Sequence, residues 1–212
     1  MFGPYANQCF NGTKFDFTET DVRKQTGITI RHIATALSLT YRFRGATKTP
    51  ISVASHSIGV CRVTTNLWHE PEYKTGDRLI RIQLVALLHD AHEAFMGDIP
   101  APFKRFMRDK GGCSIYELEQ TIDRQIYERF QITPPTEEEI ALIRLADSIT
   151  LKLERDCYMP GAEALLIDNL TIPSCVAWYP YGDKPPAEAA LMLENRLSNA
   201  IAEELIYNAN AD

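Results

Sequence analysis

The chain has 212 residues, 45% of them apolar and 24% charged, with a formal net charge of -6. That length and balance suit one globular domain and exclude collagen-like, coiled-coil and disordered chains. An acidic chain also lacks the basic face with which proteins grip the phosphates of a nucleic-acid polymer, although small nucleotides stay open to it.

Cys9, Cys61, Cys113, Cys157 and Cys175 are odd in number and form no CxxC pair, which argues against a disulfide framework or a thiolate zinc site. No apolar run approaches the roughly 20 residues of a membrane span, and the first residues show no basic stretch followed by an apolar one. The expected location is the cytoplasm, without a membrane partner.

In chain order, residues 1–17 hold Gly3, Pro4, Asn7, Asn11 and Gly12 among aromatics, the composition of irregular chain or a short hairpin. Thr18 followed by Glu19 and Asp21 resembles a helix start, and Ile28, Ile33 and Leu37 form a partial apolar stripe, so a helix is expected over 19–40. The segment 50–68 would suit a strand by β-branched content. The three- and four-residue spacing of Val53, His56, Val60, Val63 and Leu67 predicts a helix instead, with Pro50 in its first turn and His56 facing inward.

Residues 80–95 form an expected central helix, apolar nearly all round from Leu84 to Leu88 and stopped by Gly97 and Pro100. Helices are further expected over 114–130 and 136–156, the second opened by a Thr136–Glu139 capping box. Its inward stripe of Ile140, Ile143, Asp147 and Leu151 contains one ionisable residue. Prolines and glycines predict a loop-rich excursion over 159–186. An amphipathic helix over 187–208, with Leu191, Leu193, Leu197, Ile201 and Leu205 on its apolar face, closes an all-α chain.

Three helices thus turn His56, His89-Asp90 and Asp147 toward the interior. Burying an unpaired charge costs several kcal/mol, so such groups are normally paired or bound to a metal. Two imidazoles and two carboxylates without thiolate suit one borderline divalent ion, Co, Mn, Zn, Fe or Ni, with coordination positions left for water and substrate. A metal of that kind activates water and neutralises a phosphoryl group.

On a helix turning about 100° per residue, with His89 at zero, Asp90 falls at about 100°, Glu93 at about 40° and His92 at about 300°. Glu93 lies between the two expected ligands and is the candidate general acid or base. His92, His32 and His69 are expected to be structural or exposed.

His56, His89-Asp90 and Asp147 resemble the H…HD…D pattern of the HD-domain metal-dependent phosphohydrolases. His89-Asp90, Glu93, Gly97-Asp98, Pro100, Pro102 and Lys104 are similar to the HDxxExxxGDxPxPxK signature of bacterial 5'-deoxynucleotidases of the YfbR type. Phage deoxyadenosine triphosphohydrolases of the DatZ type share the motifs and the size. The resemblance covers residues 30–155 and leaves the two ends outside it.

The resemblance implies an all-α HD-domain helical bundle and one metal held by His56, His89, Asp90 and Asp147. It further implies Glu93 as the catalytic carboxylate, Asp98 on the sugar, and Lys104 at a phosphate. An arginine and an aromatic residue are implied upstream of the first ligand; Arg42 and Phe43 match best, with Arg44 as an alternative. The implied substrate is a 2'-deoxynucleoside 5'-monophosphate. A triphosphate is the alternative, with an additional Mg ion, and a non-enzymatic nucleotide- or partner-binding module is the third reading. A homo-oligomer, dimer or higher, is implied too.

Overall fold

Ser52, not Pro50, starts the first long helix, because its hydroxyl accepts the Ser55 N–H at 3.1 Å and so takes up a donor that the helix end leaves free. The computed structural model describes residues 3–112, 114–159, 161, 169–177 and 184–211. The helices are α1 (Ile30–Leu39), α2 (Val53–Trp68), α3 (Leu79–Leu88), α4 (Glu93–Met96), α5 (Ala101–Lys110), α6 (Ile115–Arg129), α7 (Glu137–Tyr158) and α8 (Pro186–Ala211). The fold is the expected all-α bundle, with one small sheet. No helix among the described residues is long and apolar enough to cross a membrane.

Helix α2 lies at the centre. It packs against α1, α3, α7 and α8, and its residues Val53 to Cys61 are all buried. Helix α3 fills the space between α2, α7 and α8 with Leu84, Val85, Ala86, Leu87 and Leu88. The capping box of α7 forms as expected: Thr136 accepts from the Glu139 N–H, and the Glu139 carboxylate accepts from the Thr136 N–H at 2.8 Å. Three glutamates in that first turn also complement the helix dipole.

Glu139 further binds Arg81 of α3 through both carboxylate oxygens, at 2.9 and 3.0 Å, while Arg81 donates to the Thr133 carbonyl at 2.7 Å. This half-buried fork clamps the start of α3 to the start of α7. Arg81→Ala is expected to lower the unfolding free energy by about 2 kcal/mol, the scale of hydrogen bonds to a charged group. Urea denaturation reads the change, and a shift below about 0.5 kcal/mol would show that the clamp is dispensable.

Several expected boundaries change. The helix expected over 19–40 is confined to α1, capped by Thr29, with only a 3-10 turn at Val22–Lys24 before it. Two contacts hold residues 25–28 out of a helix. The Gln25 amide pairs with both backbone groups of Asp16, and Gly27 lies so close to the preceding hairpin that a Cβ would meet the Lys14 carbonyl at 2.8 Å. That hairpin, β1 (Ala6–Gln8) antiparallel to β2 (Lys14–Asp16), seats Phe15 against Phe95 of α4 with ring centroids 4.3 Å apart.

Helix α5 was not expected, since Gly97 and Pro100 read only as stops. Pro102 sits in its first turn, where a missing N–H costs nothing. In α8, Leu193, Leu197 and Ile201 are buried as expected, whereas Leu191 and Leu205 are exposed and Glu204 takes an inward place beside Arg78 at 2.8 Å. Cys9, Cys61, Cys157 and Cys175 are free thiols. Much of the excursion at 159–186 lies outside the described residues, as does Cys113.

Candidate metal centre and active-site cleft

The expected continuous helix over 80–95 ends at Leu88, and the chain then tightens. The N–H groups of Ala91, Glu93, Ala94 and Phe95 each bond the carbonyl three residues back rather than four. Residues three apart eclipse each other in such turns. His92 therefore comes round to the side of His89, and Glu93 to that of Asp90. The expectation that His92 points away from the pair is corrected on that ground: the ring is buried and lines one cleft with His89 and Asp90.

His56 of α2, His89-Asp90 after α3 and Asp147 of α7 meet at one point. His56 Nε2 lies 3.0 Å from Asp147 Oδ1 and 3.7 Å from Asp90 Oδ2, and His89 Nε2 lies 3.1 Å from Asp90 Oδ2. The His56, His89 and Asp90 donor atoms all fall within 4.8 Å of one another.

Both Nε2 atoms are buried and lack a well-aligned hydrogen bond within the protein. Their Nδ1 atoms are engaged, His89 with the Ala86 carbonyl at 2.9 Å and His56 with Glu154 Oε1 at 2.9 Å. An imidazole so anchored offers its other nitrogen as a ligand. The donor set fits a divalent cation.

Without a cation the charges lean on each other. Burial and Arg42 disfavour a protonated His56, but Glu154 and Asp147 outweigh them and push its pKa up to about 10. Burial likewise works against ionised Asp90 and Asp147, yet the neighbouring imidazoles hold both below the usual carboxylate range.

Glu154 was missed in the sequence. It stands two turns beyond Asp147 on the same face of α7, buried, with Oε1 on His56 and Oε2 accepting from Arg42 Nε at 3.1 Å. The inward stripe of Ile140, Ile143 and Asp147, carried on by seven residues, was the signal. Arg42 also reaches to 3.8 Å from Asp90, while Arg44 is exposed, so of the two candidates Arg42 is the one at the centre.

The Arg42 loop is held by a bridge between Tyr41 and Ser52 and by the Arg42 N–H on the Ile51 carbonyl at 2.9 Å. Phe43 and Arg44 adopt left-handed backbone angles, φ 55° and 53°, a strained state often found beside functional sites.

Glu93 is buried, and its Oε2 has no partner. Burial, then the charges of Asp90 and Asp98, raise its pKa to about 9. Asp98, carried past the Gly97 turn at φ 81°, is raised mainly by burial. Lys104 lies with Glu119 in an ion pair instead of standing free for a phosphate, and His92 Nδ1 pairs with Asp123 at 3.0 Å. His32 is buried and His69 exposed, both away from this group.

Residues 33–155 match the family described as 5'-deoxynucleotidase YfbR-like. The chain belongs to the YfbR-like family. It is similar to the Escherichia coli (strain K12) protein named Uncharacterized protein YfdR, 30% identical over 146 residues, 69% of this chain and 68% of that protein. It is also similar to the dATP triphosphohydrolase of Salmonella phage PMBT28, 40% identical over 76 residues, 33% of this chain and 38% of the phage protein. With its His/Asp cluster, this YfbR-like chain is a metal-dependent nucleotide phosphohydrolase.

Two clefts flank the cluster in this YfbR-like chain. One, of about 510 Å³, is bounded by Phe43, Arg44, Pro100, Phe103, Phe106 and Met159. The other, of about 640 Å³, runs between α6 and α7 and includes His89, Asp90, His92 and Asp147 in its wall.

Proposed function

We propose that the protein hydrolyses 2'-deoxynucleoside 5'-phosphates at the phosphorus bonded to the 5' oxygen, releasing the deoxynucleoside. The observation that supports this most is the unpartnered, buried Glu93 carboxylate one turn from Asp90, beside a ligand set with two unsatisfied imidazole nitrogens. His56, His89, Asp90 and Asp147 would hold one divalent ion, of the class Co, Mn, Zn, Fe or Ni. Such an ion supplies a lowered water pKa and positive charge for the phosphoryl oxygens.

The chain's own groups do the rest. Glu93, desolvated and facing other carboxylates, is a strong base when ionised and a ready proton donor when not, so it exchanges a proton with the attacking water and the 5' oxygen. Arg42, fixed by Glu154, directs positive charge toward the phosphate. Asp98 accepts from a sugar hydroxyl, and Phe43 walls the nucleoside side. Arg44 and Lys104 are assigned no direct phosphate contact, since one is exposed and the other is neutralised by Glu119.

The test is a panel of deoxynucleoside and ribonucleoside mono-, di- and triphosphates, assayed with Mn or Co and again with a chelator. Metal-dependent release of deoxynucleoside is expected, with the chelator removing it. No release from any member of the panel would overturn the proposal.

A further inference from the structure

The cleft between α6 and α7 contains more positive charge than its own carboxylates use. Asp123 faces His92 at 3.0 Å, Glu119 pairs with Lys104, and Asp90 and Asp147 face the imidazoles of His89 and His56. That leaves the side chains of Arg124 on α6 and Arg144 on α7. Both are exposed on the wall of this cleft, and neither has a hydrogen-bond or ion-pair partner among the described residues. Arg144 stands one turn before Asp147, so the spare charge begins next to the metal ligands.

The cleft on the other side of α5 is different in kind. Helix α5 gives it Phe103 and Phe106, with Phe43, Pro100 and Met159 opposite, and gives Lys104 to the first cleft. One side is built for an apolar, planar group and the other for anions, with Asp90 and its partners between them. Arginine forks match phosphate oxygens through paired N–H bonds.

We propose that Arg124 and Arg144 bind the β- and γ-phosphates of a deoxynucleoside triphosphate, a subsite that makes the triphosphate the preferred substrate. This rests on the proposed hydrolysis at the α-phosphorus. In that reaction the water oxygen bonds to the α-phosphorus, the bond from phosphorus to the 5' oxygen breaks, and a water proton passes to that oxygen. The products are deoxynucleoside and inorganic triphosphate, and the triphosphate leaves from the arginine side.

The double variant R124A/R144A tests it. Both side chains are exposed, so the variant keeps its fold, and neither belongs to the reacting centre. kcat/KM for a deoxynucleoside triphosphate is expected to fall about 100-fold, as for the loss of two charged contacts, with that for the monophosphate within about twofold. Calorimetric titration of the metal-loaded protein with inorganic tripolyphosphate is expected to show binding in the wild type and none in the variant.

An equal fall for both substrates, or no fall for the triphosphate, overturns the subsite. If the wild type turns over nothing, the hydrolase proposal alone fails and the titration decides: binding lost in the variant supports the subsite, and binding retained in it or absent from the wild type overturns it.

Discussion

Glu93→Gln is expected to lower turnover of deoxynucleoside 5'-phosphates by about 10²–10⁴-fold, the range that a positioned acid or base contributes, while leaving metal content unchanged. The amide has the shape of the carboxyl, so the packing around α4 survives. It cannot exchange a proton, and that is the property the site has arranged. Burial and the charges of Asp90 and Asp98 raise the Glu93 pKa to about 9, a shift with no structural benefit, because an ionised Glu93 there opposes two other carboxylates.

A residue kept at such a cost marks a functional position more often than a structural one. Thermal stability of the variant is therefore expected to equal or exceed that of the wild type. A rate within threefold of wild type removes Glu93 from the chemistry. Loss of bound metal, measured by elemental analysis, would make it a ligand instead.

The site was legible where one periodicity governs. His56 falls on the stripe of Val53, Val60, Val63 and Leu67, and Asp147 on that of Ile140 and Ile143, so the four expected ligands meet as the helical patterns placed them. The chain was illegible where distant groups decide. Nothing in 19–28 announces that Gln25 will bond the backbone of Asp16, or that Gly27 must approach Lys14 too closely for a side chain. Both contacts exist only after the hairpin has docked.

His92 was misplaced for a local reason. A regular wheel assumes four-residue hydrogen bonds, and the step to three-residue bonds after Leu88 adds enough rotation to bring the ring to the His89 side. Lys104 matched its motif position, but its charge is used by Glu119, on a helix eleven residues further along. Motif spacing finds the residue and not its partner.

Glu154→Ala is expected to destabilise the fold by about 3–5 kcal/mol, the scale for breaking a buried ion pair by removing one member. The carboxylate is 2% exposed and serves two partners at once, His56 Nδ1 at 2.9 Å and Arg42 Nε at 3.1 Å. Burial alone would favour its neutral form, but His56 and Arg42 hold it below the usual carboxylate range. Alanine leaves the Arg42 guanidinium buried against Asp90 alone and frees the His56 ring to turn.

The milder Glu154→Gln keeps one acceptor and the volume. It is expected to fold while binding Mn or Co about 10–100-fold more weakly, as when the partner that orients a ligating imidazole is changed. Urea denaturation reads the first effect and metal titration the second. Wild-type metal affinity in the glutamine variant would show that His56 is oriented by α2 packing alone. A normal affinity joined to a raised KM would instead assign Glu154 to Arg42 and the phosphate. The two results separate its two partners, and both variants leave the four ligand side chains in place.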